Sequence, residues 1–183
     1  MILRSKNLDI EGVKLFDIKT HEDIRGSFKE VSISKSNIDE FNIKYIQENE
    51  SISNLGVFRG MHFQKNKFSQ SKLIRVIKGK VLDFVCDLRK SSTTFKKIIS
   101  IELDDKKILF LPKGIAHGFL SLEQGTILNY KCDNIYNPKF ESGFNIFKSN
   151  ITFDSILDEK KIILSSRDKK LPPLEESYIF ENL

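Results

Sequence analysis

The chain has 183 residues, of which 39% are hydrophobic and 30% are charged, and its formal net charge is +5. This length and composition are typical of one globular domain and exclude a disordered or fibrous chain. No signal-peptide h-region and no apolar run of membrane-spanning length occurs, so we expect a cytoplasmic protein without a membrane partner.

The positive charge does not indicate a nucleic-acid partner. Lysines and arginines are interspersed with acidic residues, and no basic helix or aromatic-basic pattern of the RNA-binding kind occurs. An anionic small molecule is therefore the favoured partner. Cys86 and Cys132 lie within apolar segments, which favours reduced core residues over a disulfide.

Short runs of Val, Ile, Leu and Phe extend from Val13 to Phe153 and are separated by clusters of Gly, Asn, Asp and Ser. This spacing predicts an all-β protein, either an antiparallel sandwich or a barrel. We favour a jelly-roll β-barrel with short peripheral helices, one of them over residues 34–42 with Ser36 or Asn37 as its cap.

Residues 56–64, GVFRGMHFQ, form a short apolar segment that contains one of the three histidines. Strict strand alternation places Arg59 and His62 on opposite faces, but a bulge at Gly60 would bring both to one side. Two interpretations stay open: a catalytic histidine beside an anion-binding arginine, or a hydrogen-bonded core histidine with a surface arginine. These residues alone favour the second.

Residues 72–89 predict a hairpin that turns at Lys78-Gly79. After the turn, alternation places Leu82, Phe84, Cys86 and Leu88 on one face and Asp83, Val85 and Asp87 on the other. The strand predicted over residues 126–132 places Leu128, Tyr130 and Cys132 on one face and Asn129 and Lys131 on the other.

Residues 107–122 are two apolar runs interrupted by the turn signal Pro112-Lys113-Gly114. The second run contains His117, and two histidines on separate barrel strands begin to suggest a site. The third histidine, His21, falls in a polar loop, where we expect it to be solvated.

The C-terminal part of the chain, residues 154–183, is polar and contains Pro172-Pro173. It lacks the apolar spacing of the strands, so we expect it to wrap the barrel in short helices and turns. The sequence therefore predicts one domain over residues 1–183, with a jelly-roll core of about residues 13–153.

Metal sites in jelly-roll barrels usually use a His-x-His pair, a nearby carboxylate and a later histidine. No two histidines are close in this sequence, so only His62 and His117 are placed to converge and we expect no metal. Gly-rich phosphate loops and Gly-x-Ser-x-Gly are absent as well. The remaining His, Tyr, Lys, Arg and Asp side chains suit proton transfer beside an anion without a cofactor.

Seven motifs in compatible order span nearly the whole chain. They are DIRGSFKE (23–30), IQENES (46–51), GVFRGMHFQ (56–64), SKLIRVIKGKVLDFVCDLRKSSTTF (71–95), LFLPKGIAHGFLSL (109–122), NYKCDNIYNP (129–138) and LSSRDKKLPPL (164–174). Together they resemble the dTDP-4-dehydrorhamnose 3,5-epimerase family, which implies a cupin-like jelly roll and a cofactor-independent enzyme of nucleotide-sugar biosynthesis. The combination of RGMHFQ, PKGIAHGFL and YKC is highly specific, and it favours the catalytic interpretation of His62.

The resemblance implies an acid–base site. His62 corresponds to the general base, paired with Asp168, and Tyr130 corresponds to the acid on the opposite face of the sugar. Carbons 3 and 5 of a 4-keto sugar lie alpha to the carbonyl, so their protons are acidic, and an imidazole group with a free pKa of roughly 6.5 is a suitable base. A carboxylate fixes the imidazole tautomer, and Lys72, expected near the ketone oxygen, stabilises the enolate.

The same resemblance implies residues that bind the nucleotide and the sugar. Arg25 and Glu30, together with Gln47, Glu48 and Asn49, correspond to a nucleotide-binding segment that in this family extends into the neighbouring subunit's barrel. Arg59 and His117 are expected to line the pocket, and Glu141 and Arg167 fall where the family has further ligand contacts. Arginine suits the diphosphate because it makes forked hydrogen bonds. The resemblance therefore implies a homodimer.

Two positions depart from the family pattern. Ile135 replaces the first of two consecutive aromatic residues, where a tyrosine can stack on the base, and Glu50 replaces a common histidine. We expect both changes to affect nucleotide or substrate recognition rather than the acid–base pair. They leave dTDP and GDP, and hexose and heptose, open as parts of the substrate.

Three functions compete for this set of residues. The first is an epimerase that inverts carbon 3, or carbons 3 and 5, of a nucleotide-diphospho-4-keto sugar in bacterial surface-polysaccharide biosynthesis. The second is a ketoisomerase that moves the carbonyl between carbons 4 and 3, and the third is a non-catalytic sugar-binding cupin. The presence of both His62 and Tyr130 in their family contexts favours epimerisation.

Overall fold

The structure, a computed structural model, describes residues 4–31, 44–149 and 161–183. The helix expected over residues 34–42 lies outside these ranges. The strands are β1 (Arg4–Asn7), β2 (Lys14–Asp17), β3 (Thr20–Asp23), β4 (Gly26–Lys29), β5 (Gln47–Ser53), β6 (Phe58–Gln64), β7 (Lys72–Lys78), β8 (Val81–Asp87), β9 (Ile98–Leu103), β10 (Lys107–Leu111), β11 (Ile115–Ser121), β12 (Thr126–Cys132) and β13 (Glu141–Gly143). Short 3₁₀ helices cover Asn66–Phe68, Ile146–Lys148, Asp168–Lys170 and Leu174–Glu176.

The strands form two large antiparallel sheets and one small one. The six-stranded sheet has the order β1-β2-β10-β7-β12-β5, the five-stranded sheet has the order β13-β6-β11-β8-β9, and β3 and β4 form the small sheet. From β5 to β13 the chain alternates between the two large sheets at every step except β8 to β9. Two stacked sheets connected in this way form a jelly roll, so the fold-class prediction is confirmed.

The predicted hairpin over residues 72–89 is wrong in its pairing. The turn exists, with Gly79 at φ +84°, but β7 pairs with β10 and β12 whereas β8 pairs with β11 and β9. Both edges of each strand are already occupied, so the turn carries the chain from one sheet to the other. Local turn residues therefore predicted the reversal correctly but not the partner strand.

The predicted alternation along β8 is confirmed. Its even-numbered residues, together with Leu88, belong to a hydrophobic cluster on the outer face of the five-stranded sheet. Val85 belongs to the cluster between the two sheets, with Ile74, Leu109, Phe119 and Leu128. Every residue of β8 is buried, because the strand is covered on both faces.

The cover on the outer face of the five-stranded sheet comes in part from the C-terminal residues. Leu174 and Phe180 are buried there, and Ile162, Leu164 and Tyr178 pack against the same cluster. Phe180 donates its backbone N–H to Leu88 O at 2.8 Å. Residues 161–183 thus lie over β6, β8 and β11, and three polar residues of this segment, Ser165, Arg167 and Asp168, line a cavity.

The bulge considered at Gly60 is present where β6 pairs with β11. His62 lies opposite His117 and Arg59 lies opposite Phe119, so three steps along β6 match two steps along β11. Gly60 has φ +129°, and a Cβ atom there would lie 2.5 Å from the Cα atom of Gly118. The two glycines let the strands approach closely, and the bulge turns Arg59 and His62 toward one cavity.

Both cysteines are buried and free, as the sequence predicted. Among the described residues, no helix has the length and apolar character needed to cross a membrane.

Candidate active site

A cavity of about 630 Å³ opens between the two large sheets at one end of the jelly roll. Strands of both sheets and the C-terminal residues contribute to its wall. Of the residues selected from the sequence, those that line it are Gln47, Asn49, Arg59, His62, Lys72, His117, Tyr130, Glu141, Arg167 and Asp168. These side chains come from distant parts of the sequence, and the fold brings them to one surface.

His62 and Asp168 form a hydrogen-bonded pair in this cavity. Nε2 of His62 lies 2.7 Å from Oδ1 of Asp168. The His62 side chain is 29% exposed, whereas that of Asp168 is only 6% exposed. The imidazole therefore faces the cavity while the carboxylate lies behind it.

Asp168 is held in place by its own surroundings. Its backbone N–H donates to Oγ of Ser165 at 3.0 Å, and Nδ2 of Asn145 donates to its carbonyl oxygen at 3.2 Å. Burial alone would raise the pKa of Asp168, but hydrogen bonds from His62, Ser165 and the backbone of Gly60 outweigh it, so its pKa is lowered. Asp168 is consequently ionised at neutral pH and accepts the Nε2–H of His62.

Tyr130 and Lys72 lie on neighbouring strands of the six-stranded sheet. The Lys72 Nζ atom lies 5.9 Å from the centre of the Tyr130 ring. Burial raises the pKa of Tyr130, with Cys132 and Glu141 acting in the same direction, so the phenol keeps its proton at neutral pH. Burial lowers the pKa of Lys72, opposed by the nearby Cys132, Asp83 and Glu141.

A second histidine–carboxylate pair, missed by the sequence analysis, lies at the inner end of the cavity. Nε2 of His117 lies 2.7 Å from Oδ2 of Asp83, and both side chains are buried. Burial raises the pKa of Asp83, and His117 and Lys72 oppose that rise. The signal was present, since Asp83 is a carboxylate within an apolar strand, and a buried carboxylate needs a partner.

Three polar side chains meet at the outer part of the cavity wall. Glu141 accepts a short hydrogen bond from the Tyr136 hydroxyl, and its Oε2 lies 2.6 Å from a guanidinium nitrogen of Arg167. The hydrogen bond to Glu141 raises the pKa of both Tyr136 and Arg167. The sequence motifs did not select Tyr136, which lines the cavity.

Arg59 is oriented by two bonds to β5. Its Nε donates to Oγ of Ser53 at 3.0 Å, and its terminal nitrogen donates to the carbonyl oxygen of Ile52 at 3.1 Å. The guanidinium group is exposed and lines the cavity beside His62 and Tyr130. It can therefore bind an anionic group of a ligand in this cavity.

The alternation of β5 separates the residues expected to bind the nucleotide. Gln47 and Asn49 face the cavity, whereas Glu48 and Glu50 are exposed on the opposite face. Glu48 is therefore not part of this cavity. Glu50 and Ile135 do not line this cavity either, and Ile135 is 54% exposed, so their expected effect on recognition stays a prediction.

Arg25 and Glu30 are not brought to the cavity of their own subunit. Arg25 lies at the tip of the β3–β4 hairpin, where its side chain is 86% exposed and pairs with Asp23. Glu30 follows β4 directly. Two apolar side chains of this hairpin, Ile24 and Phe28, are exposed as well. The expected contact with a neighbouring subunit stays a prediction.

The residues described contain no group of three or more His, Cys, Asp and Glu side chains that could hold a metal ion. The two histidines of the cavity are each bonded to a carboxylate instead. This arrangement provides two imidazoles, a phenol and an ammonium group for proton transfer and charge stabilisation.

The chain is similar to known proteins over most of its length. The sequence profile of the dTDP-4-dehydrorhamnose 3,5-epimerase family matches residues 7–176. A dTDP-4-dehydrorhamnose 3,5-epimerase from Methanothermobacter thermautotrophicus is 37% identical over 177 residues, which cover 93% of this chain and 94% of the relative.

Solved structures give the same result. An epimerase from Legionella pneumophila in complex with dTDP-4-keto-L-rhamnose superposes with a TM-score of 0.87 and 29% identity, covering 99% of both chains. A 3'-monoepimerase from Streptomyces bikiniensis in complex with dTDP-quinovose superposes with a TM-score of 0.82 and 28% identity, covering 92% of this chain and 86% of the other.

Proposed function

The chain belongs to the dTDP-4-dehydrorhamnose 3,5-epimerase family, and on that premise we propose that it inverts carbon 3, or carbons 3 and 5, of a dTDP-linked 4-keto sugar. The enzyme is an isomerase of nucleotide-sugar metabolism. The observation that carries the residue roles is the placement of the His62–Asp168 pair and Tyr130 on one cavity.

The proposed base is Nδ1 of His62. Asp168 is ionised and accepts the proton on Nε2, so the unprotonated nitrogen of the neutral ring is Nδ1. When Nδ1 takes the proton from the carbon next to the ketone, the ring becomes positively charged. The carboxylate stabilises this charge, as the aspartate of a hydrolase triad does.

The enolate that forms needs a positive group near its oxygen. Lys72 is buried and lines the cavity beside Tyr130, so it is placed to stabilise that oxygen. In a water-poor cavity this contact is stronger than it would be in bulk solvent. Lys72 therefore acts by electrostatic stabilisation rather than by proton transfer in this proposal.

Inversion requires a proton donor on the other face of the sugar. Burial keeps the hydroxyl of Tyr130 protonated at neutral pH, so this group can donate to the enolate carbon. A ketoisomerase that moves the carbonyl from carbon 4 to carbon 3 is the alternative reaction. The presence of a phenol donor on the same cavity as His62 favours epimerisation.

The nucleotide is proposed to bind toward the outer part of the cavity. Arg59 and Arg167 provide cations for the diphosphate, since guanidinium groups form paired bonds to phosphate oxygens. Both structural relatives named above contain dTDP-linked ligands, which favours dTDP over GDP. Glu50 and Ile135 lie outside the cavity lining, so they do not oppose this choice.

A homodimer is part of the proposal. The β3–β4 hairpin projects Arg25 together with the exposed side chains of Ile24 and Phe28. Exposed apolar side chains on a projecting hairpin suit burial against a second copy of the chain. In such a dimer, Arg25 and Glu30 would approach the nucleotide bound by the partner.

The test is incubation with dTDP- and GDP-linked 4-keto hexoses, and with a GDP-linked 4-keto heptose, in deuterated water. NMR should show deuterium at carbon 3 of the dTDP sugar, with inversion there, and label at carbon 5 would identify a double epimerase. Migration of the carbonyl to carbon 3 would indicate the ketoisomerase. No exchange with any of the sugars would contradict the proposal.

A further inference from the structure

The loop from residue 133 to residue 140 connects β12 of the six-stranded sheet to β13 of the five-stranded sheet. Tyr136 lies in the middle of this loop and lines the cavity. A segment that leaves both sheets has backbone N–H groups without strand partners, and these groups need other acceptors. How they are satisfied decides where Tyr136 is held.

Two glutamine side chains, one from each large sheet, accept consecutive N–H groups of the loop. Oε1 of Gln47 on β5 accepts the N–H of Tyr136 at 2.7 Å. Oε1 of Gln64 on β6 accepts the N–H of Asn137 at 3.0 Å. The backbone of Tyr136 is thereby fixed from both sides of the cavity.

Packing alone does not explain why a glutamine occupies position 64. Its side chain is buried, with 4% of the residue exposed, and among the described residues its Nε2 atom has no hydrogen-bond partner. Leaving a buried donor unpaired costs free energy, and an apolar side chain would avoid that cost. Gln64 also lines the cavity, and the hydrogen bond that its amide makes to the described residues is the one through its oxygen atom, which holds the loop.

The consequence extends to the ligand-binding side chains. The hydroxyl of Tyr136 donates to Glu141, and Glu141 pairs with Arg167. Gln64 lies directly opposite Glu141 in the pairing of β6 with β13. A shift of the loop would therefore displace the Tyr136 ring. It would also disturb the hydrogen bond from Tyr136 to Glu141 and, through it, the position of the Glu141 carboxylate beside Arg167.

We propose that Gln64 is a positioning residue for nucleoside-diphosphate binding, acting through the backbone of Asn137 on Tyr136 and the Glu141–Arg167 pair. This inference rests on the proposed function, because the proposed function places the nucleotide part of the substrate at the outer part of the cavity, beside Arg167. It leaves proton transfer to His62, which is hydrogen-bonded to Asp168, and to Tyr130, which lies on β12. Gln64 should therefore affect binding far more than turnover.

The test compares Gln64→Met with wild type. Met keeps the length and burial of the side chain but removes the acceptor. Calorimetric titration with dTDP should show a dissociation constant about tenfold higher, the scale of losing one buried hydrogen bond. The KM for the nucleotide sugar should rise similarly, while kcat stays within about twofold.

Gln124→Met is the matched control. Oε1 of Gln124 also accepts a backbone N–H, that of Leu55 at 3.2 Å, but Gln124 does not line the cavity. This variant should bind dTDP as wild type does. An unchanged dTDP affinity in Gln64→Met, or a kcat that falls as much as kcat/KM, would overturn the inference.

Two further variants keep the inference testable if Gln64→Met folds poorly. Gln64→Glu retains an acceptor oxygen at this position. It should bind dTDP more tightly than Gln64→Met, and equal weakening would contradict the inference. In a Tyr136→Ala background, Gln64→Met should weaken dTDP binding no further, because both act through one ring.

The two proposals fail separately. If wild type exchanges no proton of any 4-keto sugar, the proposed function is wrong whatever dTDP binding shows. If wild type is active and dTDP affinity does not depend on Gln64, only the positioning role is wrong.

Discussion

His62 and Asp168 are 106 positions apart in the chain, yet Nε2 of the imidazole lies 2.7 Å from the carboxylate. The strand β6 carries the histidine, and the 3₁₀ helix Asp168–Lys170 carries the carboxylate. The carboxylate belongs to a segment that also covers the outer core of the five-stranded sheet. Packing of the C-terminal residues and the proposed acid–base chemistry are therefore coupled.

Replacement of His62 by Ala should stop exchange of the substrate's alpha protons with solvent deuterium. The expected loss in rate is roughly 10²–10⁴-fold, the usual contribution of a positioned general base. NMR of the sugar in deuterated water measures it, and thermal unfolding checks that the variant is folded. Deuterium uptake at the wild-type rate would remove His62 as the base.

Tyr130→Phe should separate exchange from inversion. The phenol is assigned as the donor on the opposite face, so its loss leaves deprotonation by His62 intact. We expect deuterium to enter the starting sugar while formation of the inverted product slows by roughly 10²-fold or more. Product formation at the wild-type rate would exclude the donor role.

Asp168→Asn should change how stability depends on pH. The folded pKa of Asp168 is lowered, so the carboxylate stabilises the fold fully above its unfolded pKa of roughly 3.9 and progressively less as pH falls through the folded value. The difference in unfolding free energy between wild type and variant should therefore be largest above about pH 4 and shrink as pH falls below that value. Urea unfolding at several pH values measures it, and a difference that grows on acidification would contradict the assignment.

Complementation between subunits tests the proposed dimer. Arg25→Ala and His62→Ala should each reduce activity on their own, although Arg25 is exposed and its loss should not affect the subunit's fold. A refolded equal mixture should recover about a quarter of wild-type activity, because half of the dimers then contain one intact site. Absence of recovery, or a monomer in analytical ultracentrifugation, would contradict contact of the hairpin with the partner's cavity.

The sequence by itself determined the all-β class and the side-chain alternation within strands. These depend on local periodicity, as the buried Leu82, Phe84 and Cys86 of β8 show. It also indicated the bulge at Gly60, because a glycine inside a strand has few other uses. Motifs around His62, Lys72, Tyr130 and Asp168 selected residues that the fold places on one cavity.

Tertiary structure alone decided which strands pair and which polar groups meet. The turn at Gly79 does not pair β7 with β8, since strand partners depend on sheet topology rather than on turn residues. The partnership of Asp83 with His117, and that of Gln64 with the Tyr136 loop, joins residues from different strands. Spacing along the chain carries no information on such contacts, because they depend on the pairing of β8 with β11 and on the path of the loop between β12 and β13.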